Sequence, residues 1–215
     1  MSEAPAQSFV DKWRGRWPEW AVAEVFVPAA QRAPAAAWFA LLQEFADAAW
    51  SGADSAPGLA KLAWWQEELR GWGKGARRHP LGALLQPAAA PWPALADAMA
   101  VLRHRELPAR PEKALEALQP LAQACAAVEA ALFGAPTLPS IVSLSLLAEP
   151  AVRADGAAGA AALLGRWPSD QVPARAVRLH ARLLRLRLQQ AADDGRWAPV
   201  SRWRTLWNAW RAARN

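Results

Sequence analysis

Apolar residues recur at helical spacing along most of the chain. Trp38, Leu42, Phe45 and Ala49 share one face of a segment that Pro34 opens and that runs to about Ala49. Leu62, Trp65, Leu69 and Trp72 form a second stripe. Asp54 or Ser55 can cap its start, Pro57 suits its first turn, and Gly71 and Gly73 stop it. After a proline-rich connector (Pro87, Pro91, Pro93), the pattern predicts a helix from Ala94 to Glu106. Another starts at Pro111, carries Leu115, Leu118, Leu121, Cys125 and Val128, and ends near Gly134, with a bend at Pro120. Further helices are predicted over 140–148, 157–164, 172–192 and 200–213. No segment alternates apolar and polar residues between hairpin turns, so a sheet has little to be made from. The pattern specifies an all-α domain over residues 1–215.

Composition adds bounds to this picture. A chain of 215 residues suits one well-buried domain, and 53% hydrophobic residues exclude general disorder. Fourteen tryptophans call for an aromatic core or an aromatic-lined groove. Charge or a helix breaker interrupts every apolar run before the length of a membrane span. The start, MSEAPAQSFVDKW, lacks the basic and apolar regions of a signal peptide, so a cytoplasmic location is expected. Cys125 is alone, which leaves no intrachain disulfide or cysteine-based zinc site and marks it as a small core residue. Charge is uneven: residues 166–215 hold 11 Arg against 3 Asp, whereas residues 1–165 hold 14 Lys/Arg against 16 Asp/Glu. The net +6 therefore belongs to the last quarter.

Few residues carry candidate chemistry. Glu44 and Asp47, at i and i+3, lie on one helical face and could offer two oxygens to a hard cation such as Mg²⁺, although such a pair is more often a solvated face. Asp170, between Pro168 and Pro173, most simply caps the following helix. The Trp64–Trp65 pair reads first as packing, one ring in the core and one at its edge. His79, His104 and His180 show no zinc-ligand spacing.

The stretch WFALLQEFADAAWSGADSAPGLAKLAWWQEELRGWGKGARRHPLGALL resembles the squalene/phytoene synthase family. Members run an aromatic helix into an Asp-rich motif, then a helix around Lys-Leu-x-Trp-Trp-x-x-Glu, then His-Pro. The second and third parts stand here as Lys61 to Glu68 and His79-Pro80. The first metal motif, roughly Asp-Asp-x-x-Asp, is reduced to Ala46-Asp47-Ala48-Ala49-Trp50, and the best counterpart of the second, Leu163 to Asp170, keeps only Asp170. VLRHREL stands where members carry a cavity-lining acid, here Glu106. ALEALQPLAQACAAVEAALFG is similar to a later family helix, with Pro120 about where a Tyr is expected. RTLWNAWRAA looks like the last helix of the family's non-catalytic branch, which includes a mitochondrial complex I assembly factor.

The resemblance implies an antiparallel helical bundle of the isoprenoid synthase type around a central cavity. It implies Mg²⁺ ligation by Glu44, Asp47 and Asp170, and substrate contacts from Trp65, Glu68, Arg77, Arg78 and Glu106. With most of the expected carboxylates missing, a non-catalytic member that binds a lipid, an isoprenoid or a protein partner is expected. The alternative is a Mg²⁺-dependent prenyltransferase condensing farnesyl or geranylgeranyl diphosphate.

The basic quarter has its own readings. Arg178, Arg182 and Arg185 share one helical face while Leu179, Leu183 and Leu186 share another. Trp203, Trp207 and Trp210 fall together at i, i+4 and i+7, with Arg204 and Arg211 to one side. The preferred reading has these tryptophans closing the bundle. The other is peripheral contact with an anionic membrane; the same pattern would also suit a phosphate backbone, but nucleic acid is not expected as a partner.

Overall fold

A computed structural model describes residues 4–52, 54–104, 110–170 and 172–214. Among them the regular structure is helical throughout, with no strand. The helices are α1 (Ala4–Arg16), α2 (Trp20–Ala23), α3 (Ala29–Trp50), α4 (Ala56–Trp72), α5 (Gly82–Leu85) and α6 (Trp92–Ala98). They continue with α7 (Pro111–Ala117), α8 (Gln119–Phe133), α9 (Pro139–Leu164), α10 (Arg175–Asp194) and α11 (Arg202–Arg214). Short 3₁₀ turns, Glu24–Phe26 and Met99–Arg103, extend α2 and α6.

α3 is the axis. Its residues from Ala35 to Leu42 are all buried, together with Phe45, Ala48 and Ala49, so it is apolar nearly all round. α1, α4, α8, α9 and α10 all pack against it. The alanines set how close they come: at the α3–α4 crossing Gly58 lies so near the Ala48 carbonyl that a Cβ there would clash with it. Trp38, Phe45, Leu62, Trp65 and Leu69 are buried as their stripes require, and Cys125 lies in the same continuous core.

Several boundaries differ from the sequence pattern. α3 begins at Ala29, five residues before Pro34, so Pro34 lies inside the helix rather than opening it and leaves the Ala30 carbonyl without its helical donor. The helix predicted to run from Pro111 with a bend at Pro120 is divided into two at Leu118, because Pro120 favours the first turn of a new helix over the interior of an old one. α9 spans both segments predicted over 140–148 and 157–164, and its break is a single residue, Gly156 (φ 56, ψ −129). That left-handed corner turns the second limb back along the first, so that Leu147 and Ala151 face Ala158 and Leu163 around one apolar groove. α1 has no counterpart among the predicted helices; it buries Val10 and Trp13, and Trp17 follows at the same spacing. The three C-terminal tryptophans, expected inside the bundle, are exposed instead: α11 docks through Thr205, Asn208, Ala209 and Ala212.

Candidate functional site

Asp47 lines a small cleft between α1, α3, α9 and α10. Trp13, Trp17, Phe39, His180 and Trp197 form its apolar wall, and Gln43, Asp47, Ser145, Glu149 and Arg153 its polar side. The wall is tightly made: the His180 ring stacks on Phe39 with centroids 4.1 Å apart, and Trp17 lies 4.8 Å away. Burial first, and then the Arg187 charge, push the His180 imidazole down to about 3, so the ring is neutral. The enclosed space is about 40 Å³, room for a few water molecules.

The carboxylates here are held by cations. Arg16 Nη1 donates to both Asp47 oxygens at 2.7 Å, and Gln43 adds a 3.0 Å bond. Arg16 Nη2 also reaches Glu149 Oε1 at 3.4 Å, which Arg153 approaches at 2.8 Å. Glu44 points to a neighbouring spot, where Lys12 Nζ donates at 2.8 Å and Lys61 Nζ closes on its other oxygen. Burial raises the Glu44 carboxyl, but the two ammonium groups more than offset this and hold it below the ordinary carboxylate value. Four cations thus face three carboxylates.

A divalent cation needs several free oxygens and a negative local field. This donor set supplies neither while Arg16, Lys12, Lys61 and Arg153 remain in place, and no group of three acidic, histidine or cysteine side chains converges among the described residues. The residues do not fit Mg²⁺ as they stand. The carboxylate across the cleft from Asp47 is Glu149 on α9. Asp170 lines a separate cleft with Trp167, Arg178, Arg182, Arg185 and Arg211, and Glu106 lies outside the described residues.

The segments from Trp64 to Glu68 and around His79-Pro80 form a clasp. Glu68 is buried and accepts bonds from the Arg78 and His79 backbone N–H groups, each at 2.7 Å, from Trp72 Nε1 at 2.8 Å and from Arg78 Nε at 3.0 Å. These donors outweigh its desolvation, so its carboxyl lies below the usual value. Glu68 therefore pins the turn that carries His79-Pro80 onto α4. His79 completes the contact, its ring 4.4 Å from both Trp65 and Phe9, and burial pushes it down to about 4. Trp65 and Glu68 are thus occupied inside the fold rather than presented to a cleft. Arg77 and Arg78 are exposed; Arg78 also stacks over Trp64, and Arg77 touches Gln86 at 3.3 Å.

Sequence reasoning missed the partners. Arg16, Glu149 and Arg153 carry no motif, and nothing in the sequence pairs Glu19 with Arg187. That pair is buried and bidentate, at 2.8 and 2.6 Å, and Arg187 also donates to the Arg16 carbonyl and stacks over Trp17. Another buried acid, Glu129, accepts from Trp38 Nε1 at 2.9 Å. Burial raises it to about 7 against the pull of Thr137 and Trp38, and neither its second oxygen nor the Thr137 hydroxyl completes a well-formed bond. A protonated carboxyl donating to that hydroxyl would satisfy both.

No family model, curated protein or solved structure matches the chain.

Proposed function

We propose that this protein is a non-catalytic relative of the squalene/phytoene synthases, a helical bundle of the isoprenoid synthase type that acts by binding a lipid, an isoprenoid or a protein partner. The observation that carries the reading is the neutralisation of Glu44 and Asp47 by Lys12, Lys61 and Arg16. In prenyl coupling such carboxylates would hold Mg²⁺ against a departing diphosphate. Here they are members of ion pairs that tie α1, α3 and α4 together. The motif around Trp65 and Glu68 supports the same reading, since its hydrogen bonds serve packing. A scaffold keeps those bonds even when metal ligation is lost.

The test is incubation of the purified protein with farnesyl or geranylgeranyl diphosphate, Mg²⁺ and NADPH, followed by mass spectrometry for the coupled hydrocarbons. No coupled product is expected. Turnover that an Asp47→Ala change abolishes would establish the Mg²⁺-dependent prenyltransferase instead. A single metal-supported step is worth several kcal/mol, and about 1.4 kcal/mol is tenfold in rate, so the two outcomes are well separated.

A further inference from the structure

α11 carries an apolar stripe that nothing among the described residues covers. Trp203, Trp207 and Trp210 are 82%, 58% and 38% exposed, and Leu206 is 40% exposed. Phe26 borders them, and together they line one shallow depression. The Trp207 and Trp210 rings stack with centroids 5.3 Å apart, so these two indoles form one flat patch beside Trp203. The opposite face of the helix is docked on the bundle, which fixes the patch toward solvent. Apolar surface held out in this way marks a contact site.

The surrounding charge names the occupant. α11 contains no carboxylate, and Arg202, Arg204, Arg211 and Arg214 are all exposed. At about 3.6 residues per turn, Arg204 and Arg211 border one edge of the stripe. Arg211 also lines the adjoining cleft with Arg178, Arg182 and Arg185, where Asp170 is the one carboxylate in the lining. Among the described residues no acid pairs with Arg178 or Arg182: Arg178 donates to the Ala212, Val172 and Pro173 carbonyls, and Arg182 to Asn208 Oδ1. An aromatic centre with a cationic border matches the headgroup region of an anionic bilayer, indoles at the interface and guanidinium groups at the phosphates. A second copy of the chain would bring its own arginines against these, and like charges in register oppose such pairing. No helix among the described residues is long and apolar enough to cross a membrane, and α11, about 20 Å long, would lie along the surface.

We propose that α11 is an interfacial anchor, laying Trp203, Leu206, Trp207 and Trp210 into the headgroup region of an anionic bilayer while Arg211 and the adjoining arginine cleft rest on lipid phosphates. The surface shares no lining residue with the Asp47 cleft, so it stands apart from the prenyl-coupling question.

The test is flotation of the full chain with vesicles of phosphatidylcholine alone or mixed with phosphatidylglycerol, at about 0.1 M and about 0.5 M salt. Anionic vesicles should carry the protein, neutral ones should not, and salt should weaken the binding. Replacing Trp203, Trp207 and Trp210 together by Ser should abolish flotation while helix content and thermal midpoint stay unchanged. Should that variant misfold, Trp203→Ser, at the most exposed position, serves alone and should lower binding severalfold. Arg204→Gln with Arg211→Gln should lower it about tenfold or more. Glycerol phosphate, titrated by calorimetry, separates a lipid surface from a soluble anion: binding to it without binding to vesicles overturns the proposal. Equal flotation on neutral vesicles overturns it too, as does a tryptophan variant that folds and floats like the parent. A dimer that those tryptophan changes dissociate would assign the face to a second copy and refute the anchor.

Discussion

Glu129 holds a proton in the fold that it would give up in water, and His180 refuses one that it would accept. Their effects on stability have opposite signs. The folded Glu129 carboxyl, raised to about 7 from 4.5, binds a proton more tightly than the unfolded one, so its contribution is complete below 4.5 and is lost as pH climbs through 7. His180 and His79, lowered from 6.5 to about 3 and about 4, contribute fully above 6.5 and lose that contribution as pH falls. Between about 4.5 and 6.5 the parent should therefore gain roughly 1.4 kcal/mol per pH unit, and a Glu129→Gln variant about twice that. Above pH 8 the variant should be the more stable by about 1–3 kcal/mol, since Gln keeps the Trp38 bond without a buried charge. Urea unfolding of both proteins across this range measures it, and identical slopes would refute a protonated Glu129. At Arg187 the expectation is simpler. Arg187→Met leaves Glu19 buried and unpaired and should cost about 3–5 kcal/mol.

Among the helices, the α3–α4 crossing depends on one missing methyl group. Gly58→Ala would force α4 away from the Ala48 carbonyl and should cost about 1–3 kcal/mol in thermal or denaturant unfolding. Gly52, exposed in the turn before α4, gives the comparison: a change there loosens a turn and leaves the crossing intact. The stripes of α3, α4, α10 and α11 are legible in the sequence because each repeats large apolar residues at helical spacing. α1 is not, since Lys12, Arg14 and Arg16 interrupt a stripe only three residues long, Val10, Trp13 and Trp17. A break between 148 and 157 is legible, but its narrowing to the single residue Gly156 is not, because the alanine-rich stretch around it reads as helix on both sides. At the Asp47 cleft the i, i+3 spacing of Glu44 and Asp47 is visible, but their cations are not. Arg16 is 31 residues from Asp47 and 133 from Glu149, and no local period connects them. The outward turn of Trp203, Trp207 and Trp210 is equally hidden: aromatic spacing fixes which residues share a face, whereas docking through Thr205, Asn208, Ala209 and Ala212 decides which face is covered.

Among the described residues one core cluster runs from Val10 to Ala212, so the helices have no separate interior to retreat to. Heating or urea should accordingly give one transition, with far-ultraviolet dichroism and tryptophan fluorescence coinciding. Two resolved transitions would show that part of the bundle melts alone. Deleting residues 1–17 should prevent folding, because Trp13 and Trp17 wall the Asp47 cleft and Arg16 neutralises its acids. The Glu19–Arg187 pair bears on how the chain is made. Glu19 meets Arg187 and the Val200 N–H 168 and 181 residues further on, so neither partner exists while most of the polypeptide is still on the ribosome. Until then Trp13, Trp17 and Trp20 have no α10 to cover them, and the nascent chain emerges with its aromatic segment bare. Closure of the fold therefore waits for the segment from Arg187 to Val200, and stalling synthesis before Arg187 should leave a chain that chaperones hold and proteases cut.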